Sequence, residues 1–85
     1  MDTETQLKSL LDEVLHLGGR SAAWHAGTPL LGSVPELDSL AVVGVIAGLE
    51  RTFGFAIDDD DISAETLATL GSLTAFVEGR RAAPG

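Results

Sequence analysis

The chain has 85 residues, 13 acidic and 5 basic side chains, a formal charge of -8 and no cysteine. This length suits one domain, residues 1–85, with a thin core, and it excludes a large enzyme with a roofed active site. Without cysteine there is no disulfide, thiolate zinc site or thiol nucleophile, and so acidic a chain does not bind phosphate backbones through scattered cations.

A hydrophobic content of 45% is enough to fold unaided. Met1-Asp2-Thr3-Glu4 has neither the cationic nor the apolar region of a targeting leader. The longest apolar-and-glycine run, Leu40 to Leu49, is about half the ~20 residues that span a bilayer. A cytoplasmic protein is expected.

Leu7, Leu10, Leu11, Val14 and Leu15 recur at the spacing of one helix face, which predicts a first helix over about residues 4–17. Thr3 with Gln6 fits a capping box, and Gly18-Gly19 fits a stop. Residues 18–37 hold so many glycines and prolines that they read as a long loop, anchored by Trp24, Leu30, Leu31 and Val34. Asp38 is placed to cap a second helix, 39–53, with Val43, Ile46, Leu49 and Phe53 as its inner face and Gly54 as its close.

After Phe55-Ala56-Ile57 comes the run Asp58-Asp59-Asp60-Asp61, and Ser63 suits the cap of a short helix over Ala64 to Ala68. A last helix from Leu70 to Gly79 turns Leu73, Phe76 and Val77 inward, with Arg80 and Arg81 at its C-terminus and residues 81–85 expected to fray. No strand pattern occurs. The fold expected is all-α: three main helices and one short one, ordered over about 4–80. Its core is expected to include Leu7, Leu11, Val14, Val43, Ile46, Leu49, Phe53, Ile57, Ile62, Leu67, Leu73, Phe76 and Val77.

Few motifs carry chemistry of their own. Counted from Asp58, the sixth and twelfth positions of a calcium loop fall on Ser63 and Thr69 rather than glycine and glutamate, so the tetra-aspartate reads as a solvated linker. His16 and His25 lack the spacing of a helical zinc motif, and no metal site is expected. Neither Ser33 nor Ser39 has the flanking glycines of a nucleophile elbow. Ser39 stands out because it opens the second helix, where free amides and the helix dipole favour a phosphate. On position alone, Asp38-Ser39 reads first as an ordinary cap.

Leu37-Asp38-Ser39-Leu40, then Val43, Ile46, Leu49-Glu50 and Phe53-Gly54-Phe55-Ala56-Ile57 with acids after it, resembles the acyl carrier protein family and its peptidyl and D-alanyl relatives over about residues 4–80. The resemblance implies an acyl-carrier-type bundle. It implies that a phosphopantetheinyl transferase attaches 4'-phosphopantetheine from coenzyme A to Ser39, beside Asp38 and Leu40, and so overturns the capping reading. It also implies a discrete, non-catalytic carrier that holds an acyl or aminoacyl group as a thioester. The implied partners are an acyl-activating ligase or synthase and an acyltransferase or modifying enzyme, as in lipid biosynthesis. A monomer is expected.

The stretches Leu30-Leu31-Gly32, Pro35 to Leu40 and Phe53-Gly54-Phe55 look most like carriers associated with exosortase and exopolysaccharide gene clusters. The alternative is a helical interaction module that has kept the fold without the arm.

Two departures from the family pattern stand out. Glu36 holds a slot where many carriers have glycine. The second helix shows Ala41, Val42, Gly44, Val45 and Gly48 where its relatives carry acids. Ala41, Gly44 and Gly48 form a stripe of small residues, which suits either a partner or the 18–37 loop. In the first case the partner surface comprises these five positions, with Asp58, Asp59, Asp60 and Asp61 steering beside them.

Overall fold

Three runs of apolar residues become three helices in the computed structural model, which describes residues 2–82: α1 (Thr3–Leu15), α2 (Ser39–Phe53) and α3 (Leu70–Ala82). Two short 3-10 turns, Arg20–Ala23 and Asp59–Asp61, lie in the connections. The all-α bundle expected from the sequence is the architecture observed, with α1 packed on both α2 and α3.

The cap of α1 is Asp2 rather than Thr3, its carboxylate accepting the Thr5 amide at 2.8 Å. Thr3 is instead buried, and its hydroxyl accepts from Arg81 at 3.0 Å. The helix also stops earlier than Gly18-Gly19. His16 adopts the left-handed conformation at φ 56°, and its amide donates to the Asp12 carbonyl. The Asp12 carboxylate then accepts the Gly19 amide at 3.0 Å and the Ser21 hydroxyl at 2.8 Å, folding the next turn back onto α1.

The 18–37 connection is tied to the start of α3 by main-chain hydrogen bonds. The Leu30 and Leu31 amides donate to the Ala68 and Leu67 carbonyls, while the Leu70 and Gly71 amides donate to Thr28 and Ala26, around an antiparallel bridge between Pro29 and Thr69. In place of the expected short helix over Ala64–Ala68 there is a single turn, in which Ser63 and Thr66 exchange side-chain hydrogen bonds and the Leu67 amide donates to the Ser63 carbonyl at 3.2 Å.

Leu7, Leu11, Leu49, Ile57, Leu67, Leu73 and Val77 are buried as expected, joined by Leu10, Leu15, Leu17, Leu30, Val34, Leu37, Val45 and Leu70. Val14, Trp24, Ile46, Phe53, Ile62 and Phe76 pack half-buried against them. Two expected core or anchor residues are exposed: Val43 at 65% and Leu31 at 41%. For Val43 the cause is the rotation of α2, which points Val45 and Leu49 inward.

Helix α3 runs past Gly79 to Ala82, so Arg80 and Arg81 lie within its last turn. Arg81 is not frayed: it bonds Thr3 and Gln6 and lies over the Phe53 ring at 5.3 Å, joining the ends of all three helices. Residues 83–85 lie outside the described residues. No helix among the described residues is long and apolar enough to cross a membrane.

Candidate functional site

The approach to α2 is held in place on both sides. The Leu37 amide donates to the Val34 carbonyl at 3.0 Å, and both side chains are buried. Between them Glu36 pairs with Arg20, whose Nε donates to the Leu17 carbonyl at 3.0 Å. The hydrogen bond from Arg20 holds the Glu36 carboxyl below the ordinary carboxylate range. Glu36 in the usual glycine slot is therefore a tie between the helix entrance and the end of α1.

Asp38 is the cap of α2. Its Oδ1 accepts the Ala41 amide at 2.8 Å and its carbonyl accepts the Val42 amide at 3.0 Å. Ser39, the first helical residue, is exposed and takes no part in the cap bond. Leu40 beside it is 83% exposed. The first amides of α2 have no intrahelical acceptor and lie at the positive end of the helix dipole, so an anion on the Ser39 oxygen meets a favourable field. The Asp38 carboxylate is used, through Oδ1, to hold the Ala41 amide. The arrangement presents an accessible hydroxyl to another catalyst.

The expected partner face is placed differently by the structure. Val45 is buried at 1% exposure, Gly48 is buried, and Ala41, Val42 and Gly44 are half-buried. A Cβ on Gly48 would lie 2.7 Å from Leu10 Cδ1, and one on Gly44 would lie 3.3 Å from Val14 Cγ1. The small-residue stripe thus receives α1, neither the 18–37 loop nor a partner, and the missing side chains let the two helices approach closely. Val45 and Gly48 are corrected from surface to core.

The outward stripe of α2 is Leu40, Val43, Ala47 and Arg51, all exposed. At about 100° per residue these four fall within an arc of about 80°. Sequence reasoning missed Val43 and Arg51 as surface residues. The available signal was the three-and-four spacing that leads from Leu40 to a cation.

Asp58 and Asp60 of the acidic run are exposed, but Asp61 is used within the fold. Its carboxylate accepts the Asp58 amide at 3.0 Å and pairs with Arg80 at 2.8 Å. The amide bond first, and then Arg80, hold the Asp61 carboxyl below its ordinary range. Among the described residues no group of three or more histidine, cysteine or acidic side chains is arranged to hold a metal ion. His25 Nδ1 accepts the Gly27 amide at 3.0 Å, a local turn contact. Two open grooves, of about 520 and 350 Å³, flank α1, and Ser39 lines neither.

A family model described as the phosphopantetheine attachment site matches residues 5–77. Among solved structures, the holo acyl carrier protein of Nitrosomonas europaea, determined in solution by NMR, is similar to this chain with a TM-score of 0.87 and 50% sequence identity. The match covers 94% of this chain and 96% of that one. No curated protein sequence matches significantly.

Proposed function

The chain belongs to the phosphopantetheine-attachment family of carrier proteins, and from that membership we propose that Ser39 receives 4'-phosphopantetheine from coenzyme A and that the cargo is an acyl group. The protein is a carrier and not an enzyme. The observation that carries the Ser39 assignment is its exposed hydroxyl at the first residue of α2, next to a cap made by a different side chain. When attached, the arm supplies a terminal thiol on a flexible tether, to which an acyl group is joined as a thioester.

The residues around Ser39 fit such a group. The amides opening α2 lie at the positive end of the helix dipole, which would favour a phosphodiester on Ser39. Asp38 fixes the first turn through Ala41 while leaving the serine oxygen free. The Glu36–Arg20 pair and the buried Val34 and Leu37 hold the entrance still, so the hydroxyl is presented on a rigid element. Similarity to a holo acyl carrier protein at 50% identity supports acyl over aminoacyl cargo. The partners on this reading are a phosphopantetheinyl transferase, an acyl-activating ligase or synthase, and an acyltransferase or modifying enzyme, acting in the cytoplasm.

Intact-mass measurement tests the assignment. Incubation with coenzyme A and a broad-specificity phosphopantetheinyl transferase should add one phosphopantetheine to the wild type and none to Ser39→Ala. No gain with several transferases would refute it in favour of an interaction module without the arm. A gain that persists in Ser39→Ala would move the site elsewhere.

A further inference from the structure

Resting on the carrier reading, we infer that Arg20 and Glu36 are positioning residues for the modification of Ser39: their ion pair orients the serine oxygen for attack on coenzyme A and raises the rate of arm transfer, not the affinity for the transferase. In that step the Ser39 oxygen bonds to the pantetheine-bearing phosphorus of coenzyme A and the pyrophosphate bond breaks. The adenosine bisphosphate leaves, and the hydroxyl proton passes to a base on the transferase. Attacking and leaving oxygens must lie roughly in line at phosphorus, so the rate depends on how the start of α2 is held.

The left-handed bend of this approach sits at Gly32, φ 86°, and the residues after it are braced among themselves. The Ser33 and Val34 amides both donate to the Leu30 carbonyl, at 3.1 and 2.9 Å, and the Leu37 amide donates to Val34. The Glu36–Arg20 pair then ties this braced turn to the exit of α1. Arg20 reaches across from a fixed base: its main-chain amide at 3.3 Å and its Nε at 3.0 Å both donate to the Leu17 carbonyl, leaving Nη2 for Glu36. Glu36 depends on that contact, because its other oxygen, Oε1, is shielded from solvent and has no hydrogen-bond partner among the described residues. The two side chains are 57% and 33% exposed, and a pair so open to water shifts an equilibrium by about five-fold at most. That is too little to hold the fold together, but enough to bias where a serine three residues further on is presented.

The test is arm transfer to the full apo chain, with saturating coenzyme A, a broad-specificity phosphopantetheinyl transferase, the carrier as varied substrate and intact mass as readout. Arg20→Ala and Glu36→Ala are each expected to lower kcat about three- to five-fold, with KM for the carrier unchanged. The double variant is expected to lose no more than Arg20→Ala alone, since that single change strands the Glu36 carboxylate while the double removes it. Arg20→Lys keeps the charge but cannot reach Leu17 and Glu36 together, so it is expected to lose about two-fold or more. Thermal unfolding is measured on each variant, and if an alanine variant is unfolded at the assay temperature, Arg20→Lys decides the question. Wild-type kcat in folded variants, a change in KM alone, losses that multiply in the double variant, or full activity in Arg20→Lys overturns the inference and leaves the carrier reading intact. Failure of the wild type to accept the arm overturns both.

Discussion

The contact between Gly48 and Leu10 gives a prediction in which two opposing effects are separated by a control at Gly44. Replacing either glycine with alanine in α2 removes the same backbone penalty, about 1 kcal/mol. The packing terms differ. The new Cβ at position 48 lies 2.7 Å from Leu10 Cδ1, with Leu10 Cγ and Val14 Cγ2 both at 3.5 Å, so the buried Leu10 side chain has to rotate out of its place against α2. At position 44 the only neighbour within 4 Å is Val14 Cγ1 at 3.3 Å, on a half-buried side chain that needs to yield by only a few tenths of an ångström.

Overpacking of a well-filled interface costs about 1–3 kcal/mol. Gly44→Ala should therefore be neutral to stabilising by about 1 kcal/mol, and Gly48→Ala should be less stable than Gly44→Ala by about 1–3 kcal/mol, the propensity gain cancelling between them. Urea unfolding followed by helical circular dichroism reads this directly. With a slope of about 1 kcal/mol per molar, the two midpoints should differ by about 1–3 M. Equal midpoints, or a more stable Gly48→Ala, would refute the close approach of α1 and α2 and return the stripe to the surface as a docking face.

Removing the cap with Asp38→Ala should cost about 1 kcal/mol, or roughly 4–8 °C in Tm, while Asp38→Asn keeps most of the stability because its side-chain oxygen still accepts the Ala41 amide. Glu50 Oε2 accepts the Ile57 amide at 2.8 Å in a half-buried setting, so Glu50→Ala should destabilise by about 1–3 kcal/mol and Glu50→Gln by less, as compared by urea midpoints. In acid, the Asp12 carboxyl is held low by the Gly19 amide and then the Ser21 hydroxyl, and Asp61 by the Asp58 amide and then Arg80. A carboxyl depressed in the folded state stabilises above its unfolded value. Urea midpoints should thus be level above about pH 5 and fall as pH drops below about 4, through the folded values. Asp12→Asn should flatten part of that fall, and an unchanged pH profile would refute the role given to Asp12.

Where a signal was local, the sequence carried it fully. Asp38, Ser39 and Gly54 bound α2 at the residues expected, because a cap and a left-handed stop are decided within one turn. The phase of α2 was not readable in the same way. From Ser39 to Leu49 every residue is apolar, glycine or serine, so no polar positions mark the outer face, and Val43 and Val45 are interchangeable until α1 is present to bury one of them. Leu17 and Leu37 were invisible for a related reason, since an irregular loop has no period to reveal which side chains turn inward. Ser39 stood out through its place at a helix start and the residues around it.

The clasp between residues 26–31 and 67–71 closes the chain into a loop that contains the whole of α2 and its serine. In a chain without cysteine, main-chain hydrogen bonds do what a covalent staple would do elsewhere, limiting how far the ends of that loop can separate. Such a staple is indifferent to a side chain such as that of Ala68, which is exposed, whereas Thr28 and Thr69 also use their hydroxyls, accepting the His25 amide at 2.8 Å and the Ser72 amide at 3.0 Å. Gly71 is not: a Cβ there would sit 2.8 Å from the Ala26 carbonyl oxygen, against backbone that cannot rotate away. Substitution across this seam is therefore expected to be tolerated at Ala68 and least at Gly71, more than thirty residues downstream of the serine whose helix the loop encloses.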